Sequence, residues 1–157
     1  MALSPFIANL RSKIGNDLLL LPSVSAIILD EAGRVLLQRA SEDGKWYVIG
    51  GSMEPGEQPA DTVVREVKEE TGLDVEPVRI TGVYATETVT YANGHRCEYV
   101  ATVFLCRIIG GTLCVADEES LEFGYFDPAE LPELRPDHRR RIADALDGRE
   151  RACFVVR

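Results

Sequence analysis

A mixed α/β domain is the fold class that this sequence of 157 residues predicts. Three observations point to it. Strand-like apolar runs outnumber helical patterns. The two kinds are interleaved along the chain, as in folds that cover a mixed sheet with helices. The length suits one domain around a single core, and no repeat, low-complexity segment or Pro/Ser-rich linker divides it.

Residues 4–15 read as a short helix. Ser4 is placed to cap it, Pro5 suits the first helical position, and Phe6, Ile7, Leu10 and Ile14 recur at helical spacing before Gly15. Its apolar stripe packs on the domain, or serves as a dimer contact or lid. Residues 1–21 then form a helical extension to a main domain spanning 22–157. Strands are expected over 23–29 and 34–39, joined by a hairpin turn at Asp30-Glu31-Ala32-Gly33. A short strand over 46–49 runs into Gly50-Gly51. A helix over about 59–71 stops at Gly72, because glycine tolerates the left-handed conformation that ends helices. Long antiparallel strands are expected over 78–88 and 96–108, with Tyr91-Ala92-Asn93-Gly94 turning between them. Gly110-Gly111 starts a hairpin into 112–115, and 122–126 is a further short strand. A helix over 137–146 and an apolar tail over 153–156 complete the chain.

Composition narrows the partners. A hydrophobic fraction of 45% is ordinary for a globular domain. The net charge of −9 argues against general binding of nucleic acid, whose phosphates attract basic faces. An acidic protein can still hold a polyanionic small molecule through bridging metal ions. No segment approaches the ~20 apolar residues that span a bilayer. The run Leu18 to Leu21 is too short for a signal peptide and follows Asp17, so a cytoplasmic location and no membrane partner are expected. Cys97, Cys106, Cys114 and Cys153 form no CxxC pair and read as small buried thiols in a reducing compartment, not as a zinc site or disulfide framework.

The chemistry concentrates between Gly51 and Leu73. On a helix, residues three and four apart share a face, so Glu66, Glu69 and Glu70 stand together with no lysine or arginine on their stripe. Val64, Val67 and Thr71, with Val63 beside them, form the stripe that packs on the sheet. Glu57 lies in a loop bent by Pro55 and Gly56 and can fold back toward the same site. Arg65 is one turn from Glu69, yet its planar guanidinium can instead reach Glu57 as a two-pronged donor. Crowded carboxylates repel unless a cation lies between them, and hard oxygen donors suit Mg²⁺ or Mn²⁺. A run such as Lys68-Glu69-Glu70 alone commonly marks a solvated helix face. The complete spacing, which fixes glycines, glutamates, an arginine and apolar positions across the segment, does not.

That spacing, Gly51-x5-Glu57-x7-Arg65-Glu66-Val67-x-Glu69-Glu70-x-Gly72-Leu73, resembles the Nudix box of the Nudix hydrolase family at every defining position. The resemblance extends over roughly residues 22–147. It includes the strands before the box, Gly50-Gly51, and the acidic stretch ahead of Glu122-Phe123-Gly124-Tyr125-Phe126. It implies an α/β/α sandwich. It also implies Mg²⁺- or Mn²⁺-dependent hydrolysis of a pyrophosphate bond in a nucleoside diphosphate linked to another moiety: ADP-ribose, a nucleotide sugar or a nucleoside triphosphate-like substrate. By that resemblance Glu66, Glu69 and Glu70 bind metal, Glu57 supports them, the Gly50 carbonyl is a further ligand, and Arg65 orients the glutamates. A water activated by metal and deprotonated by a carboxylate attacks one phosphorus in line. Glu66 is the base candidate within the box, and Glu119, beside Asp117 and Glu118, is the candidate in a later loop. The box is often preceded by Leu-Pro-Gly-Gly, whereas Val48-Ile49-Gly50-Gly51 stands here, a change expected to loosen the turn without removing a ligand.

Outside the box, Arg39 is a candidate for the phosphates, and Trp46 with Tyr47 for stacking on a base. Tyr91 falls eighteen residues after Leu73, near where relatives that cleave dinucleoside polyphosphates carry a tyrosine. ADP-ribose relatives often carry a proline at about fifteen, where Thr88 stands. Two other readings follow: a dinucleoside polyphosphate hydrolase, and a nucleotide-binding sensor without turnover, although no box glutamate is lost. Arg139-Arg140-Arg141 reads as a solvated helix face, and His95 and His138 receive no role. A homodimer remains one reading of the N-terminal helix.

Overall fold

The computed structural model describes residues 4–115 and 119–156. The elements, in chain order, are α1 (Pro5–Ile14), β1 (Leu19–Ile28), β2 (Val35–Ala40), β3 (Trp46–Tyr47), α2 (Pro59–Thr71), β4 (Leu73–Ala85), β5 (Val89–Thr90), β6 (Arg96–Gly111), β7 (Ser120–Phe126) and α3 (Pro136–Leu146). β1 and β6 run parallel, from Leu19 opposite Cys97 to Ile28 opposite Cys106. β4 runs antiparallel along β6, which also pairs with β5. A smaller sheet has the order β3-β2-β7.

The central strands are apolar in near-continuous runs because both faces of their sheet are covered. Alternate residues divide between two cores. Val24, Ala26 and Ile28 of β1 join Val63 and Val67 of α2 in one. Ile27 joins Ile142 and Ala145 of α3 in the other. Helices thus cover opposite faces of a mixed sheet, the layering of an α/β/α sandwich. A third, smaller cluster seats α1, with Ile7 packed against Leu21 and Cys97 and edged by Leu10, Tyr91 and Tyr99.

Several sequence expectations change in detail. β4 begins at Leu73, not 78, because residues 73–77 continue the antiparallel register with 106–111. Residues 112–115 form no strand: Gly111 turns the chain at φ 82°, and the Cys114 N–H donates to the Thr71 carbonyl at the end of α2. Val64 is 37% exposed, since the buried stripe of α2 is Val63, Val67, Glu70 and Thr71. Phe6 is exposed, and Arg11 is buried beside Ile7 in its place.

Gly72 ends α2 in the left-handed region at φ 73°, its N–H donating to the Lys68 carbonyl. A Cβ there would stand 2.8 Å from both the Thr112 carbonyl oxygen and the Cys114 Sγ. Left-handed backbone costs a residue with a side chain about 1–2 kcal/mol. Gly72→Ala should therefore lower unfolding stability by at least about 1–2 kcal/mol in urea titration. An unchanged midpoint would show that the helix end tolerates a side chain.

Candidate active site

Helix α2 offers its polar stripe beside the Gly50-Gly51 turn. Its positions follow helical periodicity, with Thr62, Arg65, Glu66 and Glu69 at i, i+3, i+4 and i+7. The guanidinium of Arg65 joins them. Nε donates to Glu57 Oε1 at 2.6 Å and Nη2 to Glu57 Oε2 at 3.0 Å. Nη1 donates to Glu66 Oε1 at 2.9 Å and to Glu69 Oε2 at 3.0 Å. Nη2 also reaches the Ser52 carbonyl at 3.2 Å. The expectation of an acidic stripe without a cation is thus corrected: Arg65 lies among the carboxylates and grips Glu57 and Glu69 at once.

Both Glu57 oxygens are engaged, because Oε2 also accepts from the Glu54 N–H and the Thr62 hydroxyl. Hydrogen bonding by Arg65 holds its carboxyl down at about 2. Glu66 behaves oppositely. Burial raises its carboxyl, Arg65 opposes the rise, and the charges of Glu69 and Glu119 add to it. Its carboxylate lies over Gly51, where a Cβ would stand 2.4 Å from Glu66 Cδ. Glu70 is buried on the inner edge of the same helix and Glu69 is largely exposed.

The turn is held from several sides. Val24 N–H donates to the Gly51 carbonyl and Ala26 N–H to the Ile49 carbonyl, so the Gly50 carbonyl between them is outside that ladder. A Cβ at Gly50 would fall 2.2 Å from the Val24 carbonyl oxygen. Met53 N–H donates to the Pro22 carbonyl, and Val48 N–H to Nδ1 of His138 at 3.2 Å. The turn is therefore fixed, despite lacking the proline whose loss was expected to loosen it.

Two adjoining cavities meet at this turn. Gly50, Gly51, Glu70, Tyr91 and Glu119 line both. The first, about 500 Å³, holds Arg65, Glu66 and Glu69 on one side. The second, about 470 Å³, runs over Ser25, Gln38 and Tyr47 to Asp137, His138 and Arg141 of α3.

The structure thus brings together Gly50, Glu57, Arg65, Glu66, Glu69, Glu70, Tyr91 and Glu119. It does not bring Arg39, which donates to the Gly44 carbonyl and pairs with Glu122, nor Trp46, which packs edge-on against Phe126 at 4.7 Å. Asp117 and Glu118 lie outside the described residues.

Sequence reading missed the buried floor of the second cavity. Arg141, placed on a solvated face with its neighbours, is 4% exposed and donates to Ser25 Oγ and Asp137 Oδ2. The signal was present, for His138, Arg141, Ile142 and Ala145 recur at i, i+3, i+4 and i+7. His138, pushed down to about 3 by burial and then by Arg141, stays neutral. A second acidic group, Asp144, Asp147 and Cys153, is held by the Tyr84 hydroxyl, Arg140 and Arg149.

Comparison with known proteins agrees with this geometry. The family described as NUDIX domain matches residues 19–146. A MutT-like protein of Streptomyces ambofaciens is 38% identical over 127 residues, 80% of this chain and 77% of that protein. The 8-oxo-dGDP phosphatase NUDT18 of Mus musculus is 38% identical over 115 residues, 69% of this chain but 33% of that longer protein. The crystal structure of an ADP-ribose pyrophosphatase from Streptococcus suis superimposes with a TM-score of 0.66 at 27% identity, covering 84% of this chain and 95% of that one.

The Glu57–Arg65 pair has a pH signature. The folded carboxyl is held down from 4.5 to about 2. The unfolded chain thus takes up that proton first on acidification, and the stabilisation, complete above the ordinary value, is lost between about 4.5 and about 2. Glu66, raised instead, titrates above that window. Glu57→Gln should cost about 1.5–3 kcal/mol at neutral pH, the worth of hydrogen bonds to a charged group. It should also flatten the fall in thermal midpoint across the window. Parallel acid profiles for the two proteins would show that the pair does not titrate with folding.

Proposed function

The chain belongs to the Nudix family of pyrophosphohydrolases, and from that premise we propose that it hydrolyses, with Mg²⁺ or Mn²⁺, the diphosphate bond of a nucleoside diphosphate carrying a second group, of which ADP-ribose is the type. One observation carries this reading: Arg65 gathers Glu57, Glu66 and Glu69 where two cavities meet. A diphosphate at that junction leaves room for a group on either side.

The donor set fits a hard divalent cation. Glu66, Glu69 and Glu70, with the Gly50 carbonyl, are hard oxygen donors of the kind such an ion prefers. Burial holds the Glu66 carboxyl up, with the charges of Glu69 and Glu119 adding to it. When bound, such an ion supplies neutralisation of the diphosphate charge and a more acidic water. The other tasks fall to the chain. Glu57, with both oxygens engaged, acts as the anchor of Arg65 and supports the ligands through it. Arg65 sets the direction of Glu66 and Glu69. Gly51, without a Cβ, lets the Glu66 carboxylate reach the turn. The acceptor of the water's proton is one of two carboxylates lining the first cavity, Glu66 on the helix or Glu119 in the later loop. The turned-in Tyr91, lining both cavities, favours a dinucleoside polyphosphate as the second reading.

Among the described residues no helix is long and apolar enough to cross a membrane. All four cysteines are free, Cys97 and Cys106 buried as expected but Cys114 exposed and Cys153 half-buried. The expectation of four buried thiols is thus corrected, while the free thiols still support a reducing, cytoplasmic setting. The net charge of −9 supports a small-molecule partner over nucleic acid.

Release of phosphate or nucleotide from ADP-ribose, diadenosine polyphosphates and nucleoside triphosphates should require Mg²⁺ or Mn²⁺ and stop in chelator. Glu69→Gln and Glu70→Gln should each cut kcat at least about a hundredfold, the range for removing one charge-stabilising group. Both should leave folding largely intact. Glu69→Gln weakens only a largely exposed pair with Arg65, worth at most about 1 kcal/mol, and each change removes repulsion among the glutamates along with a ligand. Tight nucleotide binding without turnover of any substrate would instead make the protein a sensor, and near-normal rates in either variant would overturn the metal assignment.

A further inference from the structure

Helix α1 lies outside the segment that matches the family, which begins at residue 19. It is nonetheless part of the cleft. Ser4, Ile7 and Arg11 line the first cavity together with Glu66, Glu69 and Glu70. The helix is fixed by Arg11, which is 6% exposed. Its Nη1 donates to the carbonyls of Gly15 and Asp17 at 3.1 and 2.7 Å, closing the end of its own helix. Its Nη2 donates to the Arg96 carbonyl at 2.7 Å and the Cys97 Sγ at 3.1 Å, at the start of β6. Ile7 packs on Leu21 and Cys97. The Asn16 side chain lies against Gly94, whose Cβ would stand 2.8 Å from Asn16 Nδ2. Helix, turn and strand start are therefore one block.

The cavity that this block closes has a distinct chemistry. Ile7, Leu21 and Cys97 give it an apolar floor. Tyr91 and Tyr99, on the boundary it shares with the second cavity, add two rings whose hydroxyls bond each other at 2.7 Å. Asn93 and His95, hydrogen-bonded to each other, add polar groups to its lining. An apolar floor with aromatic faces and polar lining groups suits a ring that has one apolar face and a hydroxyl-bearing edge. A bare terminal phosphate would gain nothing from it. We propose that α1 is a specificity wall, added to the family fold, and that the cavity it closes takes the sugar or nucleoside ring carried on one side of the substrate's diphosphate. The assignment rests on the diphosphate hydrolysis proposed above and adds to it which part of the chain selects the second group.

The test compares substrates with a second ring, ADP-ribose and diadenosine diphosphate, against ADP and a nucleoside triphosphate, which end in a bare phosphate. The full-length chain is used with Arg11→Met, which unties the wall, and Ile7→Phe, which narrows the cavity. Each should lower the ratio of kcat/KM for two-ring over one-ring substrates at least tenfold, with the loss in KM. Tyr99→Phe keeps the ring and its packing, and should lower the same ratio at least threefold even if the other two variants unfold. A drop confined to ADP-ribose assigns the ring to a sugar and one confined to diadenosine diphosphate to a nucleoside, and either supports the wall. Ratios unchanged in folded variants, or both substrate classes falling together with the thermal midpoint, would reduce α1 to a structural support. If the wild-type chain turns over nothing, the hydrolytic reading fails on its own. Calorimetry with ADP-ribose then decides the wall, since tenfold weaker binding by Arg11→Met supports it and equal binding overturns it.

Discussion

One guanidinium organises the acidic centre. Arg65 contacts Glu57, Glu66 and Glu69 within 3.0 Å. Unit charges about 4 Å apart interact by about 4 kcal/mol at an effective dielectric near 20, so three converging carboxylates would splay without it. The planar fork matters as much as the charge. Two nitrogens meet the two oxygens of Glu57 side by side, and the third is left to face the helix carboxylates. A lysine ammonium has no such division. The centre remains anionic after this pairing, since Glu70 joins the same site from the buried edge of α2. That residual charge is what a divalent cation with a diphosphate would complement.

The rest of the fold serves to hold this helix against the turn. Val63 and Val67 are fully buried against β1, and Thr71 closes the stripe with its hydroxyl on the Val67 carbonyl. The valines fix the rotation of α2 about its axis, and that rotation points Arg65 and Glu66 at Gly51. Because both sides of the approach are constrained, glycine is required at two successive positions. At Gly51 a side chain would displace the Glu66 carboxylate, and at Gly50 it would strike the backbone of β1.

The acidic helix was readable in the sequence because its information is local: spacing along one helix sets which side chains share a face. The layered fold was readable for a related reason, as apolar runs alternate with helical stripes. What stayed hidden depends on pairings distant in sequence. Arg141 meets Ser25 across 116 positions and Gln38 meets Ser120 across 82. Arg39, at the end of a strand, looked suited to phosphate and Trp46, beside the glycine turn, to a base, yet Arg39 pairs with Glu122 and Trp46 packs on Phe126. Arg11 and Arg141 share one lesson. Each stands on the apolar stripe of its helix, where a cation is expensive unless hydrogen-bonded. The terminal nitrogens of each meet carbonyls, a hydroxyl or a carboxylate, while its buried Nε finds no partner among the described residues.

The same logic explains how the turn does without its proline. A compatible proline stabilises by about 0.4–1 kcal/mol, mainly by restricting the unfolded chain. In its place the segment 48–53 is tied by hydrogen bonds to β1, α2 and α3: Val24 and Ala26 on one side, Arg65 through the Ser52 carbonyl on another, and His138 through the Val48 N–H on the third. Each such bond contributes about 0.5–1.5 kcal/mol net, so the set exceeds what the proline would add. His138 is suited to the task because it stays neutral. Its Nδ1 remains an acceptor throughout the range where the enzyme folds, and protonation, which would turn that acceptor into a donor against Val48, is deferred to about 3. Rigidity supplied this way is tied to β1, α2 and α3 together and not to one residue. The site is thereby coupled to the integrity of the two layers that enclose the sheet.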